Sequence, residues 1–346
     1  MTVYQALQLN AAGSKALIRQ AGEKKEKVKW SFVYLLKILL TVGFCFTFVT
    51  VFSLVFGSSN SIAGVAVLLT LLAVRQADFG IRTSHGTVNL LLVFLIFIIG
   101  PKLSNLTGPI PAFFINAACI FGMVLLGCHN VIMYNQFTFV LSYLLLQGYD
   151  VSGRDYAARV CALGFGAALC CFIFWIKHRH ISYKRTWRDI FREFDIHTQR
   201  TKWQIKFVLG ISLGMLIASL LHFPRVMWVG ISVMSMLVPF YHDTVYRAKR
   251  RAPFNIVGCL LFLALHYILP QEVLPIVGIL GGIGVGFSAG YSAQTIFNVL
   301  GALTVAVGIF GLYGAIAVRV LANVFGTIYA LVYQNIYERI VKWSVS

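Results

Sequence analysis

Long runs of apolar residues recur along the chain, separated by short polar breaks. A helix needs about 20 consecutive apolar residues to cross a bilayer. The runs are continuous, whereas an outer-membrane strand needs about ten residues of alternating polarity, so the pattern favours helices. It predicts twelve membrane-spanning helices, with eleven as the alternative, at 32–56, 60–76, 87–104, 109–127, 131–147, 156–176, 203–221, 226–241, 253–269, 273–290, 293–308 and 312–335.

Composition supports the same class. Of the 346 residues, 59% are hydrophobic and only 12% are charged, and the mean hydropathy is +0.81. A soluble domain uses about 25% charged residues to cover its surface. The chain is therefore predicted to be an all-α polytopic membrane protein rather than a set of soluble domains.

The basic residues predict the orientation of the chain. With the N-terminus inside, 23 Lys and Arg residues fall on the inner side and only Lys102, Arg154 and Arg225 fall on the outer side. Positive residues concentrate in cytoplasmic loops, so both termini are expected in the cytoplasm. The expected location of the protein is the plasma membrane of a bacterium. The net charge of +18 would suggest nucleic-acid binding in a soluble protein, but this distribution explains it without such a partner.

Two polar segments flank the first group of spans. Residues 1–31 are expected to form a cytoplasmic amphipathic segment, with Tyr4 and Leu7 on the apolar side of a short helix. Residues 177–202 are expected to form a cytoplasmic amphipathic linker helix in the headgroup region, because Trp187, Ile190, Phe191 and Phe194 follow helical spacing. A plain surface linker is favoured over a regulatory lipid sensor.

The two halves of the sequence resemble each other. The block Arg159–Gly166 is similar to Arg319–Gly326, which indicates an internal repeat. The spans then form two six-helix repeats, 32–176 and 203–346. Because six is even, the repeats are parallel and are expected to be related by a pseudo-twofold axis along the membrane normal. A pathway between the halves is the natural place for a site.

One acidic residue follows the second span of each half. Asp78 precedes Arg82 by four residues, and Asp243 precedes Arg247 by four. On a helix this spacing places both charges on one face. One interpretation is a structural salt bridge at the cytoplasmic rim. The other is a protonatable carboxylate that couples protons to a gate.

Two arginines lie within predicted spans at equivalent places. A charge inside a membrane costs about 2.5–3.5 kcal/mol on insertion scales, so such residues often have a function. Arg159 and Arg319 either extend toward the outer headgroups or attract an anionic substrate, and the second interpretation is favoured. Polar residues at the starts of the fifth and eleventh spans are further candidates for the substrate site: Tyr134, Gln136, Tyr291 and Gln294.

The remaining polar candidates lie at the predicted cytoplasmic ends. His85 and His242 can titrate near neutral pH and are candidates for the gate. Lys249, Arg250 and Arg251 form a cytoplasmic basic cluster. Neither histidine has a second ligand at metal spacing, and no catalytic motif occurs in its required context. We therefore expect no metal site, no cofactor and no enzyme activity.

The stretch from Trp228 to Gly258 resembles the fusaric acid resistance-like, or aromatic acid exporter, family. The family favours Arg-x-x-Gly-Thr-x-x-Gly after an acidic-basic loop. Here Arg251 and Gly258 match, but Phe254 and Asn255 replace Gly-Thr. The first half keeps Gly-Thr four residues after Arg82, which allows a second repeat register that pairs Arg82 with Arg250.

The resemblance implies proton-driven export of small organic anions, especially aromatic carboxylates. A passive anion channel is one alternative, since the plant malate transporters are distant relatives of the family. A non-transporting scaffold for a cell-envelope pathway is the other. The expected partners are the lipid bilayer and the organic anion, with a homo-oligomer or an envelope protein as further possibilities.

Overall fold

The computed structural model describes residues 1–127 and 135–343, and this part of the chain contains α-helices and short 3₁₀ turns but no strand. Its α-helices, in chain order, are α1 (Val3–Gln8), α2 (Ala11–Gln20), α3 (Lys24–Phe56), α4 (Ser61–Val74), α5 (Thr83–Asn105), α6 (Pro109–Gly127), α7 (Asn135–Gly148), α8 (Gly153–His178), α9 (Trp187–Arg192), α10 (Gln199–Leu220), α11 (Val226–Met236), α12 (Tyr241–Ile268), α13 (Ile276–Phe287) and α14 (Tyr291–Trp343).

The helices confirm the predicted class, an all-α membrane protein. Seven of the described helices are long and apolar enough to cross a bilayer: α3, α5, α6, α8, α10, α12 and α14. Each of the twelve predicted spans overlaps a helix, and the last two both fall in α14, where Gly311 interrupts the helix with a φ of 68°. The number of crossings and the repeat stay predictions.

The chain divides into two compact units. Unit 1 comprises residues 1–47 and 249–323, and unit 2 comprises residues 48–248 and 324–346. The boundaries between the units fall inside α3, α12 and α14. The two predicted repeats, residues 32–176 and 203–346, stay a prediction.

In unit 1, the N-terminal residues pack against the start of α3. Ala6, Ala21, Trp30 and Val33 form a buried cluster, against which Leu7 packs. The Thr2 and Asn10 side chains cap two short helices, α1 and α2, where the sequence predicted one. Tyr4 is 71% exposed and does not share the packed side of Leu7.

Unit 2 is a bundle in which α5, α6 and α10 lie side by side, with α4, α7, α8 and α11 packed around them. Its core contains fully buried aromatic side chains, including Phe94, Phe97, Tyr143 and Phe207. The rings of Tyr329 and Tyr333, from the last part of α14, lie over Gly214 and Gly210 of α10. Small residues at such contacts let helix backbones approach closely.

The segment between α8 and α10 differs from the predicted linker helix. Only Trp187–Arg192 is helical within 179–198. Within unit 2, Phe194 contacts Phe121 edge-to-face at 5.4 Å between ring centroids. Phe191 is 57% exposed and does not share in this packing. Contacts with α5 and α6 therefore replace the continuous amphipathic surface that the spacing predicted.

Candidate functional site

A polar cavity of about 320 Å³ lies at one end of unit 2. Its wall is formed by the C-terminal ends of α5, α7 and α10 and by the N-terminal ends of α6 and α11. This is the end that the sequence predicts to face outward. We call it the Arg225 cavity. The side chains used below are Ser104, Phe113, Asn116, Gln147 and Arg225, all of which line it.

A hydrogen-bonded network forms the inner wall of the Arg225 cavity. The hydroxyl of Tyr143, which is fully buried, donates to Asn116 Oδ1 at 2.6 Å. Gln147 Nε2 donates to Ser104 Oγ at 3.0 Å, and its distance to Asn116 Oδ1 is 3.5 Å. Buried polar groups are costly unless they are hydrogen-bonded, so the network holds these side chains in fixed positions. It can present both donors and acceptors to a small polar molecule.

Arg225 supplies the positive charge of the cavity. Its guanidinium carbon lies 4.7 Å from the centroid of the Tyr149 ring, a cation–π geometry, and Nη1 donates to Gly148 O. Gly148 is required here because a Cβ at this position would overlap the side chain of Met227. The close approach of α7 to α11 therefore places the guanidinium at the cavity wall.

An ion pair lies near the C-terminal end of α5, two residues before Ser104 of the cavity wall. Lys102 Nζ lies 3.0 Å from Asp150 Oδ2 and donates to Val151 O at 2.8 Å. The carboxylate of Asp150 is thus engaged by a lysine of α5. Arg225 gives the cavity a cation suited to a carboxylate or another small anion.

Arg159 is buried in unit 2, but its donors bind protein acceptors. Nε donates to Asn60 Oδ1 at 3.0 Å, Nη1 to Tyr149 O at 2.7 Å, and Nη2 to Ser59 O at 3.2 Å. The guanidinium therefore ties α8 to the turn before α4 and to the end of α7. Its predicted role in attracting an anion stays a prediction, and the geometry favours a structural role.

The opposite end of unit 2 holds Asp78, in a segment that is not helical. The helical spacing assumed for Asp78 and Arg82 is therefore wrong, because the chain leaves the helix after Val74. Asp78 accepts hydrogen bonds from Gly80 N at 2.8 Å and from the Tyr183 hydroxyl at 2.6 Å. The bond to the carboxylate raises the pKa of Tyr183 to about 12.

The segment after α8 is also attached to the start of α5. Arg82 N donates to Arg185 O at 3.0 Å, and Trp187 N lies 3.3 Å from His85 Nδ1. The Trp187 indole donates to the buried amide oxygen of Asn89. The structure thus brings Asp78, Arg82 and His85 into contact with the 183–200 segment, although the Arg82 residue remains exposed.

Glu193 forms ion pairs that stabilise the later part of this segment. Its carboxylate pairs with Arg185 and, at 3.2 Å, with Arg200. The space between this segment and the neighbouring residues is nearly filled, since a cavity of only about 10 Å³ remains beside Phe79 and Phe194. We call residues 183–200 the Glu193 latch. It packs against the ends of α5 and α6 that lie opposite the Arg225 cavity.

A local cap keeps the short helix of the latch in place. The Asp189 carboxylate accepts from Thr186 N at 2.6 Å and from Thr186 Oγ1 at 3.0 Å. These two hydrogen bonds lower the pKa of Asp189, because they stabilise the charged carboxylate.

The second predicted acidic pair does lie on a helix, α12. Asp243 Oδ1 is 3.9 Å from His242 Nδ1, and the His242 side chain is 93% exposed. Arg247 donates to Ser235 O at 3.0 Å, which anchors the start of α12 to α11. These residues belong to unit 2.

The remaining predicted candidates are not among the residues that line the Arg225 cavity. In unit 1, Arg251 donates to the Tyr291 hydroxyl at 3.2 Å, and Gln294 donates to Ser288 O at 3.2 Å. Arg319 is buried in unit 1, whereas Arg159 belongs to unit 2. Lys249 is exposed and Arg250 is half-buried.

The two candidates at the fifth span have different outcomes. Tyr134 lies outside the described residues. Gln136 is fully buried, and its amide has no hydrogen-bond partner among the described residues.

Sequence reasoning missed the residues of the Arg225 cavity. Amide side chains are rare within apolar runs, so Asn116 and Gln147 could have been identified from the sequence as candidates for a site. Arg225 was counted only as an outer basic residue. The sequence alone does not show that the ends of helices distant along the chain meet at this cavity.

Residues 213–333 match the model of the family described as fusaric acid resistance protein-like. The match supports the resemblance seen at Trp228–Gly258, and it includes Arg225, α11 and the last turns of α10. No curated protein and no solved structure matches the chain significantly. Together with the long apolar helices, the family match indicates a multi-pass membrane protein with a role in transport or resistance.

Proposed function

We propose that the protein exports small organic anions, with aromatic carboxylates as the substrate class, and that the Arg225 cavity is the binding site on the outer side. The observation that carries this proposal is the combination of one guanidinium with a fixed polar network in a cavity of about 320 Å³. A carboxylate would bind Arg225. Ser104, Asn116 and Gln147 would bind hydroxyl or amino substituents, and Phe113 would contact the ring.

The proposal assigns the Glu193 latch to the cytoplasmic gate. The latch covers the end of unit 2 opposite the open cavity, so the present arrangement would be the outward-open state of a transporter. For a substrate to enter from the cytoplasm, residues 183–200 would have to move away from Phe79 and Phe121. The ion pairs of Glu193 with Arg185 and Arg200 would hold the gate shut until then.

Proton coupling is proposed at Asp78, with Asp243 as the second candidate. Asp78 accepts the Tyr183 hydrogen bond as a carboxylate. Protonation would remove the charge that strengthens this bond and would loosen the latch. One charge moved across 100 mV supplies about 2.3 kcal/mol, which is comparable with the strength of one or two such hydrogen bonds.

Uptake into inside-out proteoliposomes tests the proposal. The purified protein is given labelled aromatic and dicarboxylic acids with and without an imposed pH gradient. Arg225→Gln should abolish most uptake, whereas Arg154→Gln removes an exposed base of the predicted outer side and should leave uptake unchanged. Asp78→Asn should remove the dependence on the gradient. Gradient-independent flux in the wild type would instead indicate a passive channel, and no flux of any anion would contradict transport.

A further inference from the structure

A lateral groove of about 300 Å³ lies between α6 and α10 of unit 2. It is lined only by apolar side chains: Ala117, Ala118, Phe121, Ile205, Val208 and Leu209. Ala118 and Leu209 are exposed, so the groove opens sideways from the helix pair. In a membrane protein this lateral surface faces lipid acyl chains.

Small side chains on α6 create the groove. At Ala117 and Ala118 the α6 surface carries only methyl groups, while Ile205 and Leu209 form the opposite wall. Phe121 lies at the end of the groove nearer the Glu193 latch, and its ring contacts Phe194 edge-to-face at 86° between ring planes. The groove therefore ends where the latch begins.

Lys202, which is positively charged, extends the α10 wall of the groove. Lys202, Ile205 and Leu209 follow one another at spacings of three and four residues on a continuous helix, which places them on one face. The Lys202 ammonium forms no ion pair within the described ranges, 1–127 and 135–343. Lys202 is near the first turn of α10, on the side that the basic residues predict to be cytoplasmic. There the leaflet carries anionic lipids, and basic pockets between spanning helices bind their headgroups.

We propose that this groove binds one anionic phospholipid of the cytoplasmic leaflet. One acyl chain lies along Ala117, Ala118 and Leu209, and the phosphate of the headgroup contacts Lys202. The apolar wall accepts any acyl chain, so the preference for a negative headgroup comes from Lys202. A single lysine near an anionic headgroup changes lipid affinity by about fivefold. The bound headgroup lies beside the Glu193 latch.

Native mass spectrometry of the purified full chain tests the site. The protein in neutral detergent is titrated with phosphatidylglycerol or with phosphatidylcholine of the same acyl chains. The wild type should retain one phosphatidylglycerol more tightly than phosphatidylcholine. Lys202→Gln should reduce that preference about fivefold. Lys177→Gln, which removes an exposed lysine from the same predicted side of α8, should keep it.

A second variant tests the groove itself. Ala118→Leu adds three carbons to the groove wall without changing charge and should weaken retention of both lipids. Glycerol 3-phosphate has the charged group without the chains and should produce no bound species. Equal retention of the two lipids by the wild type would overturn the proposal. So would equal losses in Lys202→Gln and Lys177→Gln, because the preference would then come from the overall charge.

Discussion

The Tyr183 hydroxyl donates a 2.6 Å hydrogen bond to Asp78 Oδ2, joining positions 105 residues apart in sequence. The bond connects the Glu193 latch to the segment between α4 and α5. It places a tyrosine and a carboxylate at the end of unit 2 that the proposal assigns to the gate. Two predictions concern this pair directly.

Tyr183→Phe should loosen the latch without unfolding the bundle. A hydrogen bond to a charged acceptor contributes about 1.5–3 kcal/mol when buried, and solvent at this site reduces that to about 1 kcal/mol. Amide hydrogen exchange in residues 179–190 should become about fivefold faster. Tyr4→Phe, at an exposed position, is the control. Unchanged exchange in Tyr183→Phe would show that the hydrogen bond does not hold the latch.

The Tyr183–Asp78 bond should also respond to alkaline pH. Because the pKa of Tyr183 is raised to about 12, the folded state favours the protonated phenol relative to an ordinary tyrosine near 10. The stabilisation is fully present below pH 10 and is lost as pH rises through 12. Ultraviolet difference titration against Tyr183→Phe should show one phenol ionising near pH 12. In Asp78→Asn that phenol should ionise closer to pH 10, and an unchanged midpoint would contradict the account.

Substitutions of Arg159 and of Arg225 should reduce the stability of the protein to different extents. Arg159→Met leaves three protein acceptors, on Ser59, Asn60 and Tyr149, without their donor. Asn60 is fully buried and Tyr149 is half-buried, and a buried unsatisfied group costs about 1–3 kcal/mol, so thermal unfolding in detergent should show a loss of about 2 kcal/mol or more. Arg225→Gln should change stability by about 1 kcal/mol, as expected for a partly exposed side chain. The reverse order would assign the structural role to Arg225.

Gly148 should be intolerant of a side chain. Gly148→Ala places a methyl group against Met227, and overpacking of this kind costs about 1–3 kcal/mol. The double variant Gly148→Ala/Met227→Ala should recover part of the loss, because it removes the overlapping group. Chemical unfolding of the four proteins in a double-mutant cycle measures the coupling. Strict additivity would mean that α7 and α11 do not meet there.

Much of the fold could be predicted from the sequence, because membrane-spanning helices leave long apolar runs that need no tertiary information. Each predicted span overlaps a helix. The latch could not be predicted in the same way. Trp187 and Phe194 have amphipathic spacing, but their contacts with Asn89 and Phe121 come from distant parts of the chain.

The candidate site was predicted less well, for a related reason. A charged residue within an apolar run, such as Arg159, is an obvious candidate for a substrate ligand, yet each nitrogen of its guanidinium donates to a protein acceptor. Arg225 lies in a short loop and resembles an ordinary topogenic residue. Its position at a cavity depends on Gly148 and Tyr149, which precede it by more than 70 residues.

Substrate uptake by the Arg225→Gln variant tests the central claim most directly. In inside-out proteoliposomes with a pH gradient, kcat/KM for an aromatic carboxylate should fall at least about tenfold, as expected when a charged hydrogen bond is lost. The folded amount and the thermal stability should stay near those of the wild type. Undiminished uptake of every anion by a folded Arg225→Gln protein would show that the Arg225 cavity is not the binding site.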